Sequence, residues 1–369
     1  MKNLKIALFS PDQSSIPSTF VKAHKDFLEG DIAYYYKDWC PTMLENHGRL
    51  FSYTEAIFSL FKNKIGLNPL TFKQQAIFKA LSINKPDIVF AEYGITGVKV
   101  LPICKKLNIP LVVIFHGADA HQKEVIDSYG KEYKTLFNYA HSIIAVSKFM
   151  GQKLVELGCP KQKIVWTPCA PHDAFFDIIN KVKEKKFISI GRFVEKKSPQ
   201  STLQAFAKLI EKHPDSHLDF FGSGELLKTS KDLAKSLNIN QSVTFHGAQS
   251  PDILRNYMSN ALAFLQHSVT ASNGDSEGTP VAVLEAGAAS LPVITTFHAG
   301  IPDVVQNNVT GFLVKEYDID AMVEKMNLLA LDFDKARQMG EVARTHIKNN
   351  FSMRHHINTI NETLQKAAV

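Results

Sequence analysis

Residues 273–294, NGDSEGTPVAVLEAGAASLPVI, carry the reading on which the fold turns. A loop holding Gly274 and Gly278 runs into Thr279-Pro280, where proline at the first helical position marks a helix start. The free backbone N–H groups and the helix dipole at such a start make a phosphate site, here around Gly278, Thr279, Pro280 and Val281. Glu277 stands just ahead of the helix and Glu285 more than a turn inside it, on the order of 8–12 Å further along the axis. A diphosphate lying over the helix start, with a sugar on each side, would meet a carboxylate at each end. Each carboxylate could accept hydrogen bonds from a vicinal diol. Taken singly, Glu277 reads as a capping residue and Glu285 as a solvated helix position.

Working outward, the apolar run that opens at Leu291 is one of a series. In the second half, 187–191, 217–221, 242–246, 262–265, 291–295 and 311–314 read as strands, with helical spacing over 199–212 and 225–237 between them. The first half follows the same plan, with strands at 4–9, 32–36, 87–92, 111–115, 142–146 and 164–167 and helices such as 98–107 and 148–157. Strands apolar on both faces and separated by helices imply parallel sheets covered on both sides. A chain of 369 residues fits two such domains. The expected architecture is α/β, with two Rossmann-like domains over 1–170 and 186–350 and their parallel sheets facing a central cleft. Pro168, Pro171 and the charged run 181–186 mark 171–185 as the linker. A last helix over 351–369 is expected to pack back on the first domain. Ligands of such folds bind at the carboxyl ends of the strands.

Composition narrows the class. The chain is 45% hydrophobic and 21% charged, as globular proteins are. No run approaches the roughly 20 apolar residues that cross a bilayer. Residues 1–9 meet Ser10-Pro11-Asp12 too soon for a signal peptide and read as a first strand. Cys40, Cys104, Cys159 and Cys169 show no metal-knuckle or redox spacing, so free thiols in a reducing, cytoplasmic compartment are expected. Residues 1–170 carry 21 Lys and Arg against 14 Asp and Glu, while the rest of the chain is nearly balanced. A basic first half points to an anionic surface. Lacking an arginine-rich stretch or aromatic-basic interleaving, it does not point to nucleic acid. The inner face of the cell membrane is the partner that this charge suggests.

Four more segments hold candidate site residues. Gly191-Arg192-Phe193-Val194-Glu195-Lys196-Lys197-Ser198 ends the second domain's first strand. Cations at that end, facing a helix start, can hold a diphosphate and stabilise the charge that grows on it as a bond to it breaks. Phe115-His116-Gly117-Ala118-Asp119 ends a buried strand, with Asp119 placed either to orient a second substrate or to cap the next helix. Gly222 and Gly224 form a second glycine turn after the strand at 217–221. Ser18 and Thr19 lie in the loop after strand one and serve equally well as helix caps.

Together these segments resemble the retaining glycosyltransferases of family 4, enzymes of the GT-B fold with a Glu-x7-Glu signature. Glu277 and Glu285 fall on that signature, followed by Ala286-Gly287-Ala288, Leu291-Pro292-Val293-Ile294, Gly300-Ile301-Pro302 and Gly311-Phe312-Leu313-Val314. Asp303 stands where the family usually has glutamate, and Ser198 where it has glycine. The resemblance implies that Arg192 and Lys197 hold the donor diphosphate and that Gly191, Gly222 and Gly224 pass close to the nucleotide. It gives His116 a hydrogen bond to the donor sugar near the reacting carbon. The Ser18–Thr19 loop is similar to one in a polysaccharide-assembly branch and implies, with Asp119, an acceptor side. The implied activity is retaining, metal-independent hexosyl transfer from a nucleotide diphosphate sugar to a lipid-linked or glycan acceptor, with no cofactor. The Asp-x-Asp patterns at 318–320 and 332–334 lie in the helical tail and read as helix caps rather than metal ligands. A nucleotide-sugar 2-epimerase and a non-catalytic nucleotide-sugar-binding subunit remain open alternatives. A dehydrogenase is disfavoured, because no Gly-x-Gly-x-x-Gly follows residues 4–9.

Overall fold

A computed structural model describes residues 3–14, 19–52, 55 and 69–369. The chain divides into two compact units, one of Met1–Thr167 with His356–Val369 and one of Pro168–His355.

Among the described residues, the first unit holds β1 (Lys5–Phe9), β2 (Asp31–Tyr36), β3 (Met43–Leu44), β4 (Gly48–Arg49), β5 (Ile88–Glu92), β6 (Leu111–Phe115), β7 (Ser142–Ala145) and β8 (Ile164–Trp166). They pair in the order β4-β3-β2-β1-β5-β6-β7-β8. All neighbours are parallel except β2 with β3 and β3 with β4. That short antiparallel edge departs from the all-parallel expectation. Two-residue strands carry no periodic signal, and their turn rests on Asn46 and Gly48, both at positive φ. Every residue of β5, β6 and β7 is buried, as double-sided cover requires. The helix Gly94–Leu107 lies close against β6 because Gly94 and Gly97 face it. A Cβ on Gly94 would come within 2.2 Å of the Phe115 ring, and one on Gly97 within 2.9 Å of Val113.

The second unit holds β9 (Lys186–Ile190), β10 (His217–Phe221), β11 (Val243–Gly247), β12 (Ala263–Gln266), β13 (Val293–Thr296) and β14 (Gly311–Val314). They form one sheet in the order β11-β10-β9-β12-β13-β14, parallel throughout. Consecutive strand residues enter opposite cores. Phe187, Leu265 and Ile294 join one cluster with Leu203, Phe206 and Met326. Ile188, Phe264 and Val293 join the other with Leu284 and Ile347. This is the period of two expected of a strand.

Two boundaries differ from the sequence expectation. Residues 171–185 belong to the second unit, where Phe175, Ile178 and Val182 are buried in its cores. The charged run conceals these three apolar anchors, and Arg344 donates to the Ile178 carbonyl from the helix Phe333–Asn350. The helix Met353–Ala367 counts with the first unit from His356 onward. It buries Ile357, Ile360 and Leu364, and Asn361 accepts a hydrogen bond from the Glu29 amide at 3.0 Å. Asp318 and Asp332 are N-caps, accepting from the amides of Ala321 and Lys335. The four cysteines are free and buried. Among the described residues, no helix is long and apolar enough to cross a membrane.

In each sheet the chain reverses its winding direction once, between β1 and β5 and between β9 and β12. Such reversal points open crevices at the carboxyl ends of the strands. The candidate residues gather at both.

The Gly94 contact sets a stability test. Gly94→Ala should cost about 1–3 kcal/mol through overpacking against Phe115. Gly130→Ala, where a Cβ would meet only Ile126 at an ordinary 3.8 Å within the helix Lys123–Tyr139, should be neutral or stabilising by about 0.5–1 kcal/mol. Urea unfolding of the two variants checks the pair, and equal effects would refute the close approach.

Candidate active site

At the reversal point of the second sheet, the loop after β9 meets the loop after β12, and each charged residue of Glu195-Lys196-Lys197 has its own partner. Glu195 takes the backbone N–H of Ser272 at 2.8 Å and its hydroxyl at 2.7 Å. Lys196 pairs with Asp275 at 3.0 Å, reaches the Ser276 carbonyl at 3.3 Å, and its own carbonyl accepts from the Val269 amide. Lys197 pairs with Glu277 at 2.8 Å, the side chains being 14% and 6% exposed. The Ser268 hydroxyl donates to the same Glu277 oxygen at 3.0 Å, and Lys197 also reaches Gln266 at 3.3 Å. Two similar lysines are thus sorted, Lys196 to a structural staple and Lys197 to the site. Arg192 is exposed and makes no ion pair or hydrogen bond among the described residues, yet its charge is close enough to act on Lys197.

Burial raises the cost of every charge here. It pulls the Lys197 ammonium down against the opposing pull of Glu277. Burial would also raise the Glu277 carboxyl, but Lys197 and Lys196 hold it below the usual carboxylate range. The pair is ionic. Behind it, the Glu277 amide donates to His298 Nε2 at 3.3 Å, which leaves His298 Nδ1 to donate to Glu316 at 2.6 Å.

The glycines serve backbone packing. Gly222 has φ +133°, and a Cβ there would sit 1.9 Å from the Gly191 carbonyl oxygen. Gly224 has φ +149°, and a Cβ would be 2.5 Å from the Phe193 carbonyl oxygen. The turn therefore presses directly on the loop that carries Arg192, with Phe193 N–H donating to the Ser223 carbonyl at 2.8 Å. Gly191 lets the Lys197 stem pass at 3.6 Å. Ser198 holds a left-handed φ of +35°, where glycine would be unstrained.

Gly278, Thr279 and Pro280 are buried and lead into the helix Val281–Ala288. Pro280 is the N-cap rather than the first helical residue, one position from the sequence expectation. The helix still begins with amides that lack intrahelical acceptors. Glu285, far from being a solvated helix position, lies in a desolvating surround that pushes its carboxyl up to about 7. It has no hydrogen-bond or ion-pair partner among the described residues.

At the reversal point of the first sheet stands His116, just past β6. Its Nε2 lies 2.8 Å from Glu92 Oε2, and its ring packs against Phe20 and Tyr93. Asp119 accepts from backbone amides. It is buried, one carboxylate oxygen accepts from the amides of His116 and Gly117, and the other accepts from Gly94, each at 3.0 Å. It clamps the Gly117 turn, where φ is +147°, and so aims His116. Ser18 lies outside the described residues, and Thr19 begins the helix Thr19–Phe27. The sequence reading missed Glu92, Lys196, Asp275 and Ser268. Glu92, Lys196 and Asp275 matter through partners distant in sequence, and Ser268 through Glu277 nine positions on, in a loop with no periodic pattern.

Known proteins are similar to this chain in sequence and in fold. The family model for glycosyl transferases group 1 matches residues 172–346, and that for glycosyltransferase family 4 matches residues 42–170. The amylovoran biosynthesis glycosyltransferase AmsK of Erwinia amylovora is 27% identical over 289 residues, 76% of this chain and 70% of that one. An Escherichia coli protein named for colanic acid biosynthesis is 28% identical over 275 residues, 73% of this chain and 68% of its own. Among solved structures, Anabaena HepE in complex with UDP and glucose superposes with a TM-score of 0.76, covering 99% of this chain and all of that one at 15% identity. The fold is GT-B, two units built on one mixed, mainly parallel sheet and one parallel sheet.

Glu285 supplies a pH test. Its folded carboxyl ionises near 7 and an unfolded one near 4.5, so the stability gained by keeping it neutral is whole below 4.5 and lost as pH rises through 7. Glu285→Gln should therefore match the parent near pH 4 and exceed it by on the order of 2–3 kcal/mol near pH 8. Denaturant unfolding at both values checks this, and a pH-independent difference would refute it.

Proposed function

The chain belongs to the glycosyltransferases that these two family models describe, and on that premise we propose that it transfers a hexose, with retention, from a nucleotide diphosphate sugar to a lipid-linked or glycan acceptor. The names of its relatives, for amylovoran and colanic acid biosynthesis, support assembly of a bacterial surface polysaccharide as the setting. HepE was solved with UDP and glucose, which makes UDP-sugars the first donors to try.

The observation that carries the reading is the buried Lys197–Glu277 pair at the β9–β12 reversal point, with Arg192 unpaired beside it and a helix start adjoining. The diphosphate gains negative charge as its bond to the sugar breaks. Arg192, Lys197 and the amides from Gly278 to Val281 meet that charge from a preorganised, largely dry setting, so the reading is metal-independent. Glu277 holds Lys197 in place and accepts from a sugar hydroxyl. Glu285, unpaired and easily protonated, receives the ribose diol. His116 hydrogen-bonds the sugar near the reacting carbon. The basic first half of the chain supports residence at an anionic membrane surface on the cytoplasmic side.

Arg192 gives the cleanest test, because its removal orphans no buried partner. Arg192→Ala should lower kcat by about 30–1000-fold while leaving the unfolding midpoint unchanged. The assay follows nucleotide diphosphate release from a panel of donors with and without glycan acceptors, and NMR of the product reads the anomeric configuration. Unchanged kcat would overturn the phosphate assignment. An inverted product would overturn retention, and conversion of donor to another nucleotide sugar without acceptor would establish an epimerase instead.

The membrane reading has its own test. The chain should float with phosphatidylglycerol-containing vesicles at low salt and be released by about 0.5 M salt, where the Debye length shrinks to a few ångström. Failure to float at low salt would refute it.

A further inference from the structure

Behind His116 lies a buried chain of titratable groups that the mechanism above does not use. Glu92, at the carboxyl end of β5, is fully buried, with Oε2 on His116 and Oε1 2.6 Å from His24 Nδ1. His24, also fully buried, places Nε2 2.8 Å from His356 Nε2. His356 Nδ1 lies 3.0 Å from the Thr167 hydroxyl. All five residues belong to the first unit, and Thr167 and His356 are the residues at which the chain leaves that unit and returns to it.

Donor and acceptor rules allow few arrangements. An ionised carboxylate only accepts, so His116 Nε2–H and His24 Nδ1–H both donate to Glu92. With every histidine neutral, His24 Nε2 must accept from His356 Nε2–H, and His356 Nδ1 from the Thr167 hydroxyl. With one more proton, on His24, Nε2–H donates to His356, whose own proton moves to Nδ1 and donates to Thr167. In both networks each of these four hydrogen bonds has one donor and one acceptor. They differ in charge, since the first buries an uncompensated carboxylate and the second is neutral. An unpaired buried charge costs several kcal/mol.

Among the described residues, the surrounding groups do not supply the missing cation. Asp119 is held by three amides, and Asp12 takes the Tyr34 hydroxyl at 3.3 Å. Lys25, on the His24 helix, is paired with Glu45, and Lys22 with Asp26. Arg354 and His355, beside His356, are exposed. Burial would raise the Glu92 carboxyl, yet His24 and His116 hold it down to about 2.

We propose that Glu92 is a positioning residue for His116, and that Glu92, His24 and His356 form a buried relay that holds one proton and fixes the ring orientation and tautomer of His116. Its consequence for catalysis rests on the role given to His116 above, whereas the proton arrangement does not.

Two measurements test it on the whole chain. In long-range proton–nitrogen spectra of ¹⁵N-histidine-labelled protein, assigned with His24→Gln and His356→Gln, one relay histidine should stay doubly protonated to about pH 8, where an ordinary histidine is neutral. Three neutral rings at that pH would overturn the relay. In the donor assay, Glu92→Gln, which keeps size but must donate to one ring, should lower kcat by about 10–100-fold with KM nearly unchanged, as losses of outer partners do elsewhere. Should that variant fail to fold, His356→Gln, at the far end, should shift the pH profile of kcat. A variant with lowered thermal midpoint but unaltered kcat and pH profile would show a merely structural network and overturn the positioning role. Absence of sugar transfer by the parent chain with every donor would count against the functional reading alone, because the labelled spectra still decide the relay.

Discussion

The second unit's site depends on one ion pair taken almost wholly out of water. Removing an ammonium and a carboxylate from solvent costs several kcal/mol for each, and attraction between them repays this only in good geometry with the remaining polar atoms satisfied. Lys197 and Glu277 meet those terms at 2.8 Å, with Ser268 donating to the carboxylate and Gln266 accepting from the ammonium. What the pair secures is position. It ties the loop after β9 to the loop that leads into the helix Val281–Ala288, so a cation and a set of free amides are fixed to the same frame.

The neighbouring contacts enforce that frame from both sides. The three successive residues Glu195, Lys196 and Lys197 bind the 269–277 loop at Ser272, Asp275 and Glu277. From the other side Gly222 and Gly224 bring backbone against backbone, at distances where any side chain would collide with a carbonyl. Arg192 is left outside this lattice of partners. A rigid loop with one unpaired guanidinium is what binding a diphosphate asks for, since a preorganised cation loses little freedom on binding.

The first unit solves the same problem with a different buried charge. Among the described residues, Glu92 has no lysine or arginine against it, only two imidazoles. Histidine can satisfy a carboxylate as neutral donor or as cation, so a small shift in surroundings changes the charge of the whole group. Asp119 fixes the backbone of His116 while Glu92 fixes its ring, and the two constraints together leave the side chain little freedom.

Much of this chain was legible in the sequence, because the signals concerned are local. Both-face apolar strands, the Thr279-Pro280 helix start, the spacing of Glu277 and Glu285, and the caps at Asp318 and Asp332 are each written within about a dozen residues, the range over which backbone geometry imposes a period. Resemblance to a family added the pairing of Arg192 with Lys197. Tertiary structure alone decided the rest. Lys196 and Lys197 are adjacent and alike, and only the fold sends one to Asp275 and the other to Glu277, about 80 positions away. Asp119 looked as suited to a substrate as to a helix cap, and only the fold supplies the three amides that it accepts from. His24, Glu92 and His356 are separated by 68 and 332 positions and carry no motif. Ionic and hydrogen-bonded partnerships form between whatever surfaces packing brings together, so their identity is a property of the folded core and not of any stretch of chain.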